Sequence, residues 1–295
     1  MNNNNYSVLP IYKTKGEQNH RKPYAFGDIY PLYSPIGRIL PFQIELPRTG
    51  SGIGINCSLI KVNGNIEEEV YYPNFFQDIS NSGMDLLSSD SNYWRIVYAS
   101  TRLLTGKIFE PGQYFIEILI SEDKTYSLYS EIFTWVAPTT NFLTIQWYSI
   151  NNLHTDAGIV FYKTTKYTVN HILYLATELG KPDYEFEDEG ESRDGLFFAT
   201  KQLSKKIYKF TFVAPEYMCD VLRLIPLADV VQVHDPYGRQ YDCQSFLPTI
   251  KWLTQGNLAS VECEFVADSI VKKISNVVSG LGDFNNDYND DYNNL

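Results

Sequence analysis

The chain has 295 residues, with 24 Lys and Arg against 35 Asp and Glu, which gives a formal net charge of −11. Hydrophobic residues make up 44% of the chain and aromatic residues 15%, so the composition excludes wholesale disorder and favours a β-rich fold. The acidic balance argues against nonspecific nucleic-acid binding, which needs a basic surface. No apolar run reaches 18 residues, so no membrane-spanning helix is predicted and no membrane partner is expected.

The first 35 residues are predicted to form an extended arm, because its four prolines restrict the backbone and cannot donate to a β ladder. A β-sandwich domain is predicted over residues 36–137. It contains a hairpin turn at Asn63-Gly64 and a Pro-Gly turn that leads to Tyr114 at the head of a strand. The second pattern is typical of the tyrosine corner of immunoglobulin-like sandwiches. A strand over 127–136 is expected to close this domain.

A second β domain is predicted over residues 142–268, with one short helix and an acidic loop at 183–194. Pro215 and Glu216 are residues favoured in the first turn of a helix. The predicted fold class is therefore mainly β: an N-terminal immunoglobulin-like sandwich and a C-terminal antiparallel sheet or barrel with one helix. Residues 269–295 are predicted to be a C-terminal segment that ends in an acidic, asparagine-rich tail. Inward-facing positions are predicted at Met218, Val221, Leu222 and Ile225 of the helix and at Ala259, Val261, Cys263 and Phe265 of the last strand.

Two segments hold ten of the eleven net negative charges: residues 183–194 carry −6 and residues 283–295 carry −4. Both are interpreted as solvated, self-repelling segments. The alternative is that one or both face a basic partner or line a surface that repels polyanions. The candidate interaction or channel-facing acids are Asp183, Glu185, Glu187, Asp188, Glu189 and Glu191.

No catalytic, cofactor-binding or metal site is predicted. The four histidines lie far apart, and none has HxxxH spacing. The four cysteines form no CxxC motif and are predicted to be buried and reduced, which indicates synthesis in a cytoplasm. No signal peptide is visible in the first 15 residues. The tail begins like a calcium loop at Asp283, but Tyr288 and Asn294 replace the Gly and Glu that such a loop needs.

One stretch resembles a known group of proteins. The segments Leu175–Glu178, Lys181–Gly190, Arg193–Gly195, Tyr208–Phe212 and Ala214–Tyr217 are similar to structural proteins of tailed phages that infect Bacteroidetes, the crAss-like phages among them. The similarity covers roughly residues 170–266, extends more loosely over the first sandwich, and carries no catalytic motif.

The resemblance implies a virion component of the phage tail, assembled in the host bacterial cytoplasm. Such a subunit would belong to a tail or neck ring or to a tail hub, in a homo-oligomer of roughly six- or twelve-fold symmetry. Its partners would be copies of itself and portal or tail subunits, with DNA passing through the assembly without specific binding. Arms and sheet edges are the contacts expected in such a ring.

An alternative function is that of a carbohydrate-binding β-sandwich protein. It requires exposed aromatic side chains that stack on sugar rings, and the candidates are Tyr93, Trp94, Trp147, Tyr148 and Trp252. Packing of those side chains in the core is the competing interpretation.

Overall fold

The computed structural model describes residues 7–21, 32–50, 52–71, 84–90, 93–98, 109–137, 141–150, 168–193, 195–252 and 257–273. The acidic tail at 283–295 lies outside these residues. Within them the chain is mainly β, as the composition predicted, and its one α-helix covers Glu216–Leu222 (α1). Three short 3-10 helices cover Lys15–Glu17, Asn19–Arg21 and Ile225–Leu227.

The strands fall into four sheets, two built from residues before 137 and two from residues after 142. Their bounds are β1 Ile11–Tyr12, β2 Leu32–Pro35, β3 Phe42–Pro47, β4 Gly54–Asn63, β5 Ile66–Tyr71, β6 Met84–Asp90, β7 Tyr93–Tyr98, β8 Gly112–Ser121, β9 Thr125–Ser130, β10 Phe133–Val136, β11 Leu143–Tyr148, β12 His171–Leu175, β13 Asp183–Arg193, β14 Leu196–Pro215, β15 Val230–His234, β16 Gln240–Asp242, β17 Ser245–Trp252 and β18 Leu258–Lys273.

Strand β8 is the centre of the first, seven-stranded sheet. It pairs with β4 on one side and with β9 and β10 on the other, and β4 continues into the hairpin strand β5. The single strand predicted over 127–136 is in fact two strands, β9 and β10, which are separated at Glu131 and Ile132. Strands β3, β7 and β6 form a separate three-stranded sheet.

Of two local predictions in the first half, one is confirmed and the other is shifted by one residue. The Tyr114 hydroxyl donates a hydrogen bond to the backbone carbonyl of Glu110 at 2.8 Å, which is the bond that defines a tyrosine corner. The β4–β5 hairpin forms one residue later than predicted: Asn63 pairs with Ile66 across a loop that begins at Gly64. Gly64 has φ +62, a conformation in which a side chain would be strained, so glycine suits this turn.

The predicted arm contributes to the first sheet through its described residues. Strand β1 pairs with β9, and β2 runs parallel to β10. Val8 and Leu9 are buried. Residues 7–21 and 32–35 therefore pack against the sheet.

The second half contains a sheet of order β12-β11-β15-β16 and a sheet of order β13-β14-β18-β17. The predicted helix begins at Glu216, directly after Pro215. All eight positions that the sequence placed inward on the helix segment and the last strand are buried, because the helical and alternating patterns each turn one apolar face towards the core. These positions are Met218, Val221, Leu222, Ile225, Ala259, Val261, Cys263 and Phe265.

One continuous core of buried side chains includes residues from both halves. At the junction the rings of Tyr33 and Phe142 lie 4.9 Å apart, centroid to centroid. Tyr174 of β12 is buried and shares a hydrogen bond with Arg38, and its burial raises the pKa of its hydroxyl. Among the described residues, no helix has the length and apolar character needed to cross a membrane.

Candidate interaction site

The acidic segment predicted as a loop is a strand, and the prediction of a loop was wrong. Residues Asp183–Arg193 form β13, an edge strand paired antiparallel with β14 along its whole length. The segment alternates acids with Tyr184 and Phe186, and this two-residue period is compatible with a strand. Repulsion among the acids does not prevent the strand, because lysines of β14 lie opposite them.

Four acids of β13 contact lysines on one face of the sheet. Lys201 lies 2.9 Å from Glu189, and Lys205 pairs with Glu187 and lies 3.9 Å from Glu185. The hydrogen bond between Lys205 and Glu187 raises the pKa of that lysine. The fourth acid is Asp183, whose carboxylate lies 3.8 Å from Lys209 Nζ.

The remaining candidate acids take different positions. Asp188 lies on the opposite face, where its register partner is Gln202. Glu191 lies beyond a bulge at Glu189/Gly190, close to the end of the hairpin. The structure therefore brings four of the six candidates together on one face of β13, places Asp188 on the other, and separates Glu191 from both by the bulge.

A β-bulge at Ala267 divides the sheet into a buried part and an exposed part. Lys206 pairs with Asp268, but the next residue, Ile207, pairs with Val266, so Ala267 is the extra residue. On the buried side, Phe210 and Phe265 pack in the core. On the other side lies what we call the β ribbon, defined as residues 183–193, 195–206 and 267–273.

The β ribbon is close to neutral. It contains seven acidic and six basic residues, because the lysines of β14 and β18 accompany the acids of β13. The strong negative patch suggested by the sequence is therefore largely compensated within the sheet. Exposed ion pairs of this kind are screened by salt and contribute little to stability.

The opposite face of the β ribbon carries exposed apolar side chains that the sequence analysis did not single out. Phe186 is 75% exposed, Tyr184 64% and Ile270 69%. Phe186 and Ile270 occupy the same row, since Phe186 pairs with Ser204 and Ser204 pairs with Ile270. The alternation of Tyr184 and Phe186 with acids was the signal that could have indicated this face.

Both edges of the β ribbon lack a strand partner within the part of the chain that the structure describes. Strand β13 is the end of its sheet. On the far side, β17 pairs with β18 only as far as Val266, and beyond it Ser269 Oγ donates a hydrogen bond to the side chain of Gln244, so residues 267–273 have no strand beside them in the described ranges. Unpaired strand edges present backbone N–H and C=O groups that can bind another chain.

A second polar cluster lies inside the molecule, around Glu131. Its side chain is buried, and its carboxylate accepts hydrogen bonds from the backbone N–H groups of Asn19 at 2.8 Å, His20 at 3.2 Å and Ile132 at 3.0 Å. The Tyr12 hydroxyl donates a fourth bond, 3.1 Å long. With four donors on one carboxylate, this cluster serves as an anchor for the N-terminal segment.

The Glu131 carboxylate interacts electrostatically with tyrosines from both halves of the chain. Burial raises the pKa of the Tyr12 hydroxyl, and the nearby Glu131 carboxylate raises it further. Tyr217 of helix α1 has a raised pKa for the same two reasons. The cluster therefore lies where the N-terminal segment, the first sheet and the second half meet.

The described residues contain no group of three or more His, Cys, Asp or Glu side chains arranged to hold a metal. His171 is buried and stacks on Trp147, with 5.4 Å between ring centroids. His20 lies on the Glu131 cluster through its backbone, and His154 lies outside the described residues.

Among the described residues, one aromatic candidate for sugar binding is buried and two are at least partly exposed. Trp147 is buried, as the competing interpretation of core packing predicted. Trp252 is 52% exposed and Tyr148 is half-buried. The side chains of Tyr93 and Trp94 lie outside the described residues.

Comparison of the chain with protein-family models, with curated proteins and with solved structures gives no match.

Proposed function

We propose that this chain is a non-enzymatic structural subunit of a larger assembly, in which copies of the chain and other proteins bind along exposed sheet edges. The observation that carries the proposal is the β ribbon, which lies beyond the bulge at Ala267, has no strand beside either edge among the described residues, and exposes Phe186 and Ile270. Natural proteins usually blunt or cover long edge strands, because open edges promote association. An eleven-residue strand with no partner on its outer edge among the described residues is therefore a feature expected of an assembly component.

The assembly that we propose is a ring or hub in the tail or neck of a phage virion. The sequence resemblance described above supports this assignment, since its segments include most of β13 and the start of helix α1. The near-neutral β ribbon supports a docking role better than a lining that repels DNA, because the lysines of β14 compensate the acids.

We further propose that the chain is organised as two β domains, of which the first is immunoglobulin-like. The tyrosine corner formed by Tyr114 and Glu110 supports the likeness. The separation of the four sheets at residues 137–142 supports two units, although they share one core.

Size-exclusion chromatography with light scattering tests the proposal. A structural subunit gives an oligomer whose mass is a multiple of 33.9 kDa. A monomer that binds an oligosaccharide on a glycan array would overturn the proposal in favour of the carbohydrate-binding alternative.

A further inference from the structure

We propose that the β ribbon joins copies of this chain head to tail, with the free edge of β13 in one copy pairing with residues 267–273 of β18 in the next. This inference rests on the proposed function, because it assumes that the chain self-associates. It adds which two edges meet, in which direction and in which register.

The direction of pairing follows from the sheet order. Strands β13 and β18 both run antiparallel to β14, so they run in the same direction as each other. A second copy placed alongside by a rotation that keeps strand direction would set its β13 parallel to β18. Such a heterologous contact uses two different surfaces and closes into a ring when the rotation permits it.

The register follows from the rows of side chains across the β ribbon. One row on the exposed apolar face contains Phe186, Ser204 and Ile270, and the next contains Asp188, Gln202 and Lys272. If each row continues into the next copy, Ile270 of one copy lies beside Phe186 of the next, and Lys272 lies beside Asp188 of the next. Both are favourable cross-strand pairs, one apolar and one of opposite charge.

The charges also disfavour the simplest alternative, a symmetric dimer through β13. Antiparallel pairing of two β13 edges centred on Glu187 places Glu185 opposite Glu189 and Asp183 opposite Glu191. Like charges directly opposite each other destabilise a sheet. The pairing of β13 with β18 avoids this repulsion.

A cysteine cross-link in the full chain tests the contact directly. Within one copy, positions 186 and 270 are two strand spacings apart, about 9.6 Å, which is too far for a disulfide. Across the proposed contact they are one spacing apart, within disulfide range. We therefore expect the double variant Phe186→Cys/Ile270→Cys to form a ladder of covalent oligomers under mild oxidation.

The single variants identify the other modes of pairing. Phe186→Cys alone and Ile270→Cys alone should each stay uncross-linked, whereas a mixture of the two should give a covalent dimer. Dimers of Phe186→Cys alone would overturn the inference in favour of β13–β13 pairing, and dimers of Ile270→Cys alone would do so in favour of β18–β18 pairing. The native cysteines serve as the background, since the unmodified chain should give no ladder.

Charge reversal provides a second test that needs no oxidation. Asp188→Lys and Lys272→Asp should each weaken self-association at least tenfold at low salt, and the double variant should restore it. Circular dichroism verifies that each variant folds, and Glu68→Lys and Lys124→Asp are matched controls at exposed sites off the β ribbon. If neither charge reversal changes the strength of self-association, this inference alone is overturned. If the chain is monomeric at every concentration, the proposed function is overturned as well.

Discussion

Replacing Glu131 should release the N-terminal segment from the first sheet. The carboxylate accepts four hydrogen bonds in a buried position, and three of them come from residues 12–20. Glu131→Ala removes the acceptor and leaves those donors without it. A hydrogen bond to a charged group contributes about 1.5–3 kcal/mol, and some of the freed donors can bond to water, so we expect the free energy of unfolding to fall by about 4 kcal/mol.

Glu131→Gln removes the charge of the side chain but keeps its shape. The amide keeps one acceptor oxygen, which can serve the N–H groups of His20 and Ile132, but its NH2 group faces the N–H of Asn19. We expect a loss of about 2 kcal/mol for this variant, because about half of the hydrogen bonds survive. The exposed Glu68 provides the matched control, and Glu68→Gln should change stability by less than about 0.5 kcal/mol.

Urea unfolding and limited trypsin digestion measure the effect together. With a urea m-value of about 3 kcal/mol/M, a loss of 4 kcal/mol lowers the midpoint by about 1.3 M. Trypsin should cut the alanine variant after Lys13, Lys15 or Arg21 well before it cuts the unmodified chain. An unchanged midpoint together with an unchanged digestion pattern would refute the role of Glu131 as an anchor.

Three further outcomes follow from the structure. The Asp235 carboxylate accepts hydrogen bonds from the backbone N–H groups of Tyr237 and Arg239 and from the Arg239 guanidinium. Burial alone would raise the pKa of Asp235, but these bonds hold it below its usual value. Asp235→Ala should therefore lower the free energy of unfolding by about 1–3 kcal/mol at pH 7, measured by urea unfolding. The difference in stability between the variant and the unmodified chain should disappear as the pH falls below about 4. A difference that persists there would contradict this reasoning. Because the pKa of Tyr12 is raised in the fold, the stability that its neutral hydroxyl contributes is present below about pH 10 and decreases as the pH rises further. In thermal melts, the Tyr12→Phe variant should therefore lose less stability above about pH 10 than the unmodified chain. Burial raises the pKa of the Cys243 thiol to about 12 and also raises the pKa of the other three thiols. A thiol reagent at about pH 8 should therefore label the native chain slowly, whereas in urea it should label all four thiols at once. Rapid labelling of the native chain would contradict this expectation.

Local periodicity was sufficient to predict part of this fold. The alternation from Ala259 to Phe265 and the helical stripe from Met218 to Leu222 both place apolar groups on one face, and the structure buries them. The tyrosine corner at Tyr114 depended on a turn only a few residues away. In each case the residues that decide the structure are close together in the chain.

Features that depend on distant partners could not be predicted in this way. The segment at 183–194 reads as a solvated loop when its acids are counted alone, and its strand becomes understandable only when Lys201 and Lys205 are placed opposite them. The interruption between β9 and β10 at Glu131 is a second example, because the backbone N–H groups of Asn19 and His20 that bond its carboxylate lie more than 100 residues earlier. That the edges of the β ribbon have no strand beside them among the described residues is a property of sheet order, which no local pattern contains.

Electron microscopy of the purified full chain over a series of concentrations tests the central claim most directly. Our account predicts closed ring particles with one β ribbon contact per subunit, which disappear in the Asp188→Lys variant and return when Lys272→Asp is added. Isolated particles the size of a single 33.9 kDa chain at every concentration would contradict it.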